Sequence, residues 1–175
     1  EFGINSSNEG SQKNPVIAVL TDGYFVVAWV TGAPDRVGLN GTAIHAQRFS
    51  ADGTNVGDEI NVNSTELNGR DPRVSAAKLD SGEFVIIWNN GAALTTGSVR
   101  GRRFSSDGVP ASPVFMVNNA PEDPSGVELY LSPSVAPTMN GGFAVAWAED
   151  TVVCGDICAR YFDFENNAVA ENFQV

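Results

Sequence analysis

Apolar residues fill both alternating positions of three short segments, and each segment ends in tryptophan. The segments are YFVVAW at 24–29, EFVIIW at 83–88 and GFAVAW at 142–147, and their tryptophans are 59 residues apart in both intervals. Side chains of a β-strand point alternately to opposite faces, so these strands are apolar on both faces. A sheet with one face in water would alternate apolar with polar residues. The pattern therefore predicts sheets that are covered on both sides.

The rest of each copy aligns around this strand. A proline-led strand precedes it at 15–18, 72–75 and 133–136, and a glycine turn joins the two. A third strand follows at 44–49, 99–104 and 157–162, and a fourth at 59–63, 114–118 and 172–175. Asp52-Gly53 and Asp107-Gly108 are hairpin turn signals in the first two copies. No stretch has sustained helical periodicity, so we expect essentially no helix.

Repeats of four short antiparallel strands are typical of propeller blades. We therefore predict an all-β, β-propeller-like array of three four-stranded antiparallel blades, with a β-prism or a β-sandwich as the alternative. Residues 1–175 would form a single repeat domain, with repeats at 15–64, 72–119 and 133–175. Residues 1–6 (EFGINS) are similar to 59–64 (EINVNS). Residues 1–14 are thus expected to hold one extra N-terminal strand, from a preceding unit, and a linker.

Two linked motifs resemble a known repeat. NPVIAVLTDGYFVVAW at 14–29 and IHAQRFSADG at 44–53 are similar to repeats of large secreted bacterial proteins that neighbour RTX-type calcium-binding repeats and adhesin domains. The resemblance implies an extracellular β-propeller-like array that serves adhesion or ligand binding, and it implies no particular ligand. The partner we expect for an extracellular or cell-surface module is a glycan or a cell surface, bound in a lectin-like way. The loops at 31–42, 89–98 and 148–156 differ in every copy, and Glu165-Asn166-Asn167 replaces the Asp-Gly turn of the third. Calcium, which the family's acidic loops would hold, is therefore only a candidate cofactor.

The charge balance bears on the partners. Acidic residues outnumber basic ones 21 to 10, which gives a net charge of −11. Nucleic-acid affinity rests on cations that meet phosphates, so nucleic acid is not expected as a partner. No apolar run approaches the roughly 20 residues of a membrane span. Blades with two apolar faces need neighbours on both sides, so we expect other copies of the chain or adjacent repeats of a longer array as partners.

Recognisable catalytic chemistry is sparse. His45 is the one histidine, and the other repeats have Arg100 and Cys158 at its position. There is no G-x-S-x-G elbow and no phosphate-binding glycine loop. Carboxylates that could serve glycoside hydrolysis all fall in turn-like segments and are interpreted as solvated loop acids. They are Asp71, Asp80, Glu83, Glu149 and Asp150. The prediction is a non-enzymatic extracellular binding or adhesion module, with a structural repeat that assembles into a filament, matrix or larger surface protein as the alternative.

Four arginines recur at two adjacent positions of the third strand. Arg48 and Arg103 share one position, and Arg102 and Arg160 share the preceding one. They could pair with acidic residues of a neighbouring blade or donate hydrogen bonds to a glycan. The aromatic residues of the tryptophan strands are predicted to be structural core, because they occur in phase in every copy. They are Trp29, Trp88, Trp147, Phe25, Phe84 and Phe143.

Two further features concern covalent modification. Cys154 and Cys158 are four residues apart, and an even cysteine count in a secreted chain favours a disulfide between them. On the chain-entropy model so short a loop gains roughly 2 kcal/mol from the bridge. The N-x-[ST] sequons make Asn5, Asn40 and Asn63 candidate glycosylation sites.

Overall fold

The computed structural model describes residues 2–6, 10–32, 42–63, 72–89, 98–118, 130–149, 157–169 and 173–174. Twelve strands form three four-stranded antiparallel sheets, which confirms the predicted all-β, propeller-like fold. Blade 1 contains β1 (Ser11–Val19), β2 (Phe25–Gly32), β3 (Ala43–Phe49) and β4 (Asn55–Asn61). Blade 2 contains β5 (Val74–Lys78), β6 (Phe84–Asn89), β7 (Val99–Phe104) and β8 (Phe115–Met116). Blade 3 contains β9 (Tyr130–Pro137), β10 (Phe143–Glu149), β11 (Ile157–Phe162) and β12 (Phe173–Gln174).

Neighbouring strands within each sheet are consecutive in sequence. The short 3-10 turn Thr21–Gly23 is the one helical segment among the described residues. The proline-led strands of blades 1 and 3 each contain a bulge. Asn14 and Ser132 adopt positive φ angles of 54° and 52° immediately before a proline, and the strand register shifts there. Proline cannot donate a ladder hydrogen bond, so a bulge lets each strand continue past it.

The blades stack face to face. The first strands β1, β5 and β9 are neighbours, so they form the inner edge of the array. One apolar face of blade 1 meets the tryptophan face of blade 2, and the other face of blade 2 meets the tryptophan face of blade 3. The first contact joins Val26, Ala28 and Val30 to Phe84, Ile86 and Trp88, and the second joins Val85 and Ile87 to Phe143, Val145 and Trp147. Blade 2 is thus covered on both faces, as the two-sided apolar pattern predicts.

Of the aromatic residues predicted to be core, Phe84, Trp88, Phe143 and Trp147 lie in these contacts, and Trp29 and Phe25 belong to a separate cluster of blade 1. Trp88, Phe84 and Phe143 have no exposed surface, and Trp29 and Trp147 are buried. Phe25 is half-buried and stacks on Phe49 with ring centroids 5.1 Å apart.

The N-terminal segment differs from its prediction. Residues 2–6 form no strand and belong to no sheet. Instead Ile4 packs against the Val27, Trp29 and Phe49 cluster of blade 1, and the ring of Phe2 lies 5.7 Å from that of Phe49. Alternating apolar residues occur both in β-strands and in extended segments that pack on a sheet without joining it. Here their side chains cover the face of blade 1 that no other blade contacts within the described residues.

Candidate functional site

The two arginine positions of the third strand tie each blade to its neighbour. Arg102 of blade 2 donates from Nη1 to the carbonyl of Val62 in blade 1 at 3.1 Å. Arg160 of blade 3 makes the matching bond to the carbonyl of Val117 in blade 2 at 2.9 Å. Each guanidinium also lies over a phenylalanine ring of its own blade. These two arginines therefore hold consecutive blades together.

Gln47 occupies the same position in blade 1. Its Nε2 donates to carbonyls of its own blade, those of Arg48, Val56 and Gly57. A glutamine is too short to repeat the arginine's reach. The hydrogen bond from this position to the preceding blade is therefore made by Arg102 and Arg160 at the two described junctions. In blade 1 the residue at this position bonds within its own blade.

Arg48 and Arg103 point the other way, toward the following blade. Nη1 of Arg48 donates to the carbonyl of Asp107 at 3.0 Å, and Nη1 of Arg103 donates to the carbonyl of Phe164. Both arginines are only 8% exposed. On the following blade, both arginines thus bond to backbone carbonyls of turns, where the sequence predicts acidic side chains. Arg103 additionally pairs with the carboxylate of Glu83 in its own blade.

A cleft opens where blade 1 meets blade 2, and we call it the junction cleft. It has a volume of about 510 Å³ and lies beside Arg48. Its polar lining consists of Thr21, Tyr24, Arg48, Ser81, Ser106 and Asp107. The guanidinium of Arg48 lies over the ring of Tyr24, 5.7 Å from its centroid. An aromatic ring, hydroxyls and a fixed cation in one concave surface are groups that bind a polar, hydroxyl-bearing ligand.

A second polar cluster lies on the outer face of blade 1. Nδ1 of His45 is 2.7 Å from Oε1 of Glu59, and the His45 ring stacks on Trp29 with centroids 6.2 Å apart. Oε2 of Glu59 accepts hydrogen bonds from the backbone N and the Oγ of Ser6, at 3.0 and 2.7 Å. Burial acts to raise the pKa of Glu59, but the Ser6 hydrogen bonds and the His45 charge outweigh it and lower that pKa. This cluster fastens the N-terminal segment to the blade.

A small cavity of about 130 Å³ lies beneath that segment. It is lined by Ile4, Asn5, Gln12, Lys13, Pro15, Val27 and Trp29. Trp29 is thus both core and cavity wall. The cavity lining is mainly apolar, which agrees with its position between the segment and the blade.

The junction cleft contains residues that sequence reasoning missed. Tyr24 and Asp107 were not singled out for binding, and Glu83 was not linked to Arg103. An alignment of the three repeats holds part of the signal, because the first position of the tryptophan segment differs in every copy. Tyr24 accompanies Arg48 and Glu83 accompanies Arg103, while Gly142 accompanies Tyr161, whose hydroxyl lies close to where a Gly142 side chain would begin.

The predicted metal and modification sites are described only in part. No group of three or more His, Cys, Asp or Glu side chains comes together in the described parts of the chain. In the hairpin turn of blade 1, hydrogen bonds from Ser50 and Thr54 lower the pKa of Asp52. That carboxylate therefore has a local structural role. Calcium binding stays a prediction.

Cys158 is buried and disulfide-bonded. Its predicted partner, Cys154, lies outside the described residues, and so does the sequon residue Asn40. Asn5 is half-buried on the N-terminal segment. Asn63 is 4% exposed, and its Oδ1 accepts a hydrogen bond from the backbone N of Ile44 at 2.6 Å. Asn118 makes the matching bond to Val99 in blade 2. The Asn63 side chain thus has a packing role that a glycan would disrupt.

No protein-family model and no curated protein matches this sequence. Solved structures do share the fold. The endo-arabinase from Bacteroides thetaiotaomicron superposes with a TM-score of 0.57 at 12% identity, over 99% of this chain and 64% of that chain. The α-L-arabinanase from Penicillium chrysogenum, solved with arabinobiose, gives 0.56 at 12% identity, over 90% and 48%. The GH43_1 enzyme from Xanthomonas citri gives 0.54 at 11% identity, over 94% and 55%.

These likenesses define the class of the fold as a β-propeller of the kind found in those enzymes. This chain spans about half to two thirds of the length of the three structures. They also contradict the prediction of a non-enzymatic binding or adhesion module, with a structural repeat as its alternative, because the three structures are an endo-arabinase, an α-L-arabinanase and a GH43_1 enzyme. That prediction rested on the absence of a recognisable catalytic motif. Glycoside hydrolysis needs two carboxylates that meet in space, and such a pair leaves no local sequence motif.

Among the described residues, no helix is long and apolar enough to cross a membrane.

Proposed function

We propose that this chain forms part of a carbohydrate-active β-propeller that hydrolyses glycosidic bonds. The observation that carries the proposal is the superposition of 90% or more of the chain on an endo-arabinase, an α-L-arabinanase and a GH43_1 enzyme. A sialidase superposes as well, with a TM-score of 0.53 over 89% of this chain. Proteins of one fold can differ in function, so the proposal also rests on the site.

The junction cleft supports a saccharide ligand. The phenol ring of Tyr24 offers an apolar face, and the hydroxyls of Thr21, Ser81 and Ser106 can both donate and accept hydrogen bonds. Sugars present the same two kinds of surface, namely C–H faces and hydroxyl edges. A cleft of about 510 Å³ is large enough for one or two sugar rings.

Hydrolysis requires a general acid and a second carboxylate. The sequence offers Asp71, Asp80, Glu149 and Asp150 in the segments next to the first two strands of the blades. Asp71 and Asp150 lie outside the described residues, as does the side chain of Glu149. Asp80 follows the inner strand of blade 2 and is exposed. Glu83 pairs with Arg103 and is therefore assigned to the structure of the blade junction.

The experiment is a hydrolysis assay on the purified chain with arabinan, xylan, glucuronoxylan, pectic polymers and sialosides. We expect release of reducing ends or free sugar from at least one of them. Asp71→Asn, Asp80→Asn and Asp150→Asn are assayed on the same substrate, with Asp58→Asn, an exposed carboxylate of β4, as the control. Loss of activity with an unchanged melting temperature in one of the three would support the proposal. No release from any substrate by the folded chain would refute it.

We also propose that the protein works outside the cell and beside further blades. The disulfide at Cys158 supports an extracellular location, because disulfides persist in oxidising compartments.

The proposal of further blades rests on blade 3, where Ala144, Ala146 and Ala148 are only half-buried. The matching face of blade 1 is packed against blade 2. Another copy or an adjacent repeat would cover the alanine face in the same way.

A further inference from the structure

Arg48 and Arg103 occupy the same repeat position but differ in one contact. Both are 8% exposed, both donate from Nη1 to a turn carbonyl of the following blade, and the buried Nε of each has no partner within the described residues. Nη2 of Arg103 meets the carboxylate of Glu83. Among the described residues, the carboxylate that comes within 4 Å of Nη2 of Arg48 is that of Asp107, whose Oδ1 lies 3.9 Å away. That separation exceeds hydrogen-bond distance.

The difference follows from one residue. Glu83 immediately precedes β6, and Tyr24 holds the matching place before β2. Arg48 therefore contacts the face of the Tyr24 ring, whereas Arg103 contacts the carboxylate of Glu83. A cation–π contact contributes about 0.5–2 kcal/mol, whereas a buried guanidinium without a carboxylate remains costly. The Asp107 side chain is 85% exposed, and an exposed partner at that distance contributes little.

The junction cleft opens beside Arg48, the arginine that has no carboxylate within hydrogen-bond distance among the described residues. The cleft lies beside Arg48 and Tyr24 and is lined by hydroxyls of both blades. We propose that the junction cleft binds a carboxylate-bearing saccharide, whose carboxylate contacts Nη2 of Arg48 in the way that Glu83 contacts Arg103. The inference rests on the proposed function for its saccharide class, while the carboxylate follows from the arginine pair alone.

The charge of the whole chain narrows the ligand. A net charge of −11 repels polyanions at long range. A single carboxylate on an otherwise neutral, hydroxyl-rich molecule avoids most of that repulsion and still gains a charge-assisted hydrogen bond. The ligand class is therefore an otherwise neutral oligosaccharide that carries one uronic acid.

The test uses glucuronosyl-xylotriose and the same oligosaccharide with its carboxyl group reduced to an alcohol. Titration calorimetry on the full chain should show that carboxyl reduction weakens binding about tenfold or more, which corresponds to the loss of one hydrogen bond to a charged group. Equal affinity for the two ligands would overturn the proposal.

Two variants locate the site. Tyr24→Glu supplies the chain's own carboxylate, in the arrangement that Glu83 and Arg103 already make, so the variant should fold and lose the preference for the acid. Tyr24→Phe keeps the ring and should retain the preference. Arg160→Gln is the control among the arginines, because Arg160 joins blades 2 and 3, away from the junction cleft, and Gln47 is tolerated at its repeat position. An undiminished preference in Tyr24→Glu would contradict the assignment.

The two proposals can fail separately. Preference for the acid that Tyr24→Glu abolishes, without hydrolysis of any substrate, would leave the carboxylate site standing and refute the hydrolase. Hydrolysis that proceeds equally on acidic and neutral saccharides, together with equal binding of the two titrated ligands, would refute only the carboxylate site.

Discussion

At the scale of single residues, two arginines at the same repeat position make different contacts because one neighbouring residue differs. Arg103 is neutralised by Glu83, and Arg48 faces Tyr24 and an open cleft. Glu59 shows the same dependence. Its carboxylate would be an ordinary surface acid without Ser6 and His45, yet here it is 18% exposed and accepts bonds from both sides. Neighbours contributed by distant parts of the chain thus decide what each charge does.

Glu59 makes the stability of the protein pH-dependent. Its pKa in the folded state lies below the ordinary value of 4.5. The ionised form therefore stabilises the fold above pH 4.5, and this contribution is lost as the pH falls through the folded-state pKa. We expect Glu59→Gln to lower the free energy of unfolding by about 1–2 kcal/mol at pH 7, since the two hydrogen bonds from Ser6 and the contact with His45 are weakened.

Denaturant unfolding of both proteins between pH 2 and pH 7 checks this expectation. The two curves should converge at the acid end, where wild-type Glu59 is protonated. Asp58→Asn, an exposed neighbour on the same strand, should show no such dependence. A constant gap between wild type and Glu59→Gln across the whole range would show that Glu59 acts through packing and not through its charge.

At the scale of elements, the strands follow from the sequence with little error. Segments that are apolar on both faces become the second strand of each blade, and the fourth strands lie within or close to their predicted bounds. The prediction of a strand is wrong for residues 2–6. Phe2 and Ile4 occupy alternate positions, as in a strand, but their side chains pack onto the outer face of blade 1. The sequence predicts which positions of the third strand carry the arginines, but it does not predict the groups that they bond. Their acceptors are backbone carbonyls 40 to 61 residues away, which no side-chain pattern reveals.

Two alanines at the same repeat position test how the blades stack. Ala28 has no exposed surface and packs at the contact between blades 1 and 2, while Ala146 of blade 3 is half-buried. Ala28→Lys places a charge in that contact and should destabilise the protein by more than about 4 kcal/mol or prevent folding. In the single chain, with no second copy on this face, Ala146→Lys should cost about 1 kcal/mol or less, as for an accessible strand position.

Thermal unfolding of the two variants gives the comparison. Similar melting temperatures for both would contradict the stacking order of the blades. A large loss in Ala146→Lys that is accompanied by a drop in native mass would instead show that a second copy covers the face of blade 3.

At the scale of the whole molecule, three blades are joined by two junctions that share apolar packing and arginine ties but differ in the cleft. In the first junction no described carboxylate lies within hydrogen-bond distance of the arginine, since that of Asp107 is 3.9 Å away, and hydroxyls line the cleft beside it. In the second junction Glu83 supplies that partner. The repeated architecture thus keeps its fold while the two junctions differ in this contact. The proposed glycan contact lies between blades 1 and 2.

The central claim is that this propeller receives a carboxylate-bearing glycan in the junction cleft. A crystal structure of the chain with glucuronosyl-xylotriose tests it most directly. We predict the uronic acid carboxylate within hydrogen-bond distance of Nη2 of Arg48, with sugar density beside Tyr24. A saccharide bound elsewhere, with the junction cleft empty at saturating ligand, would contradict the claim.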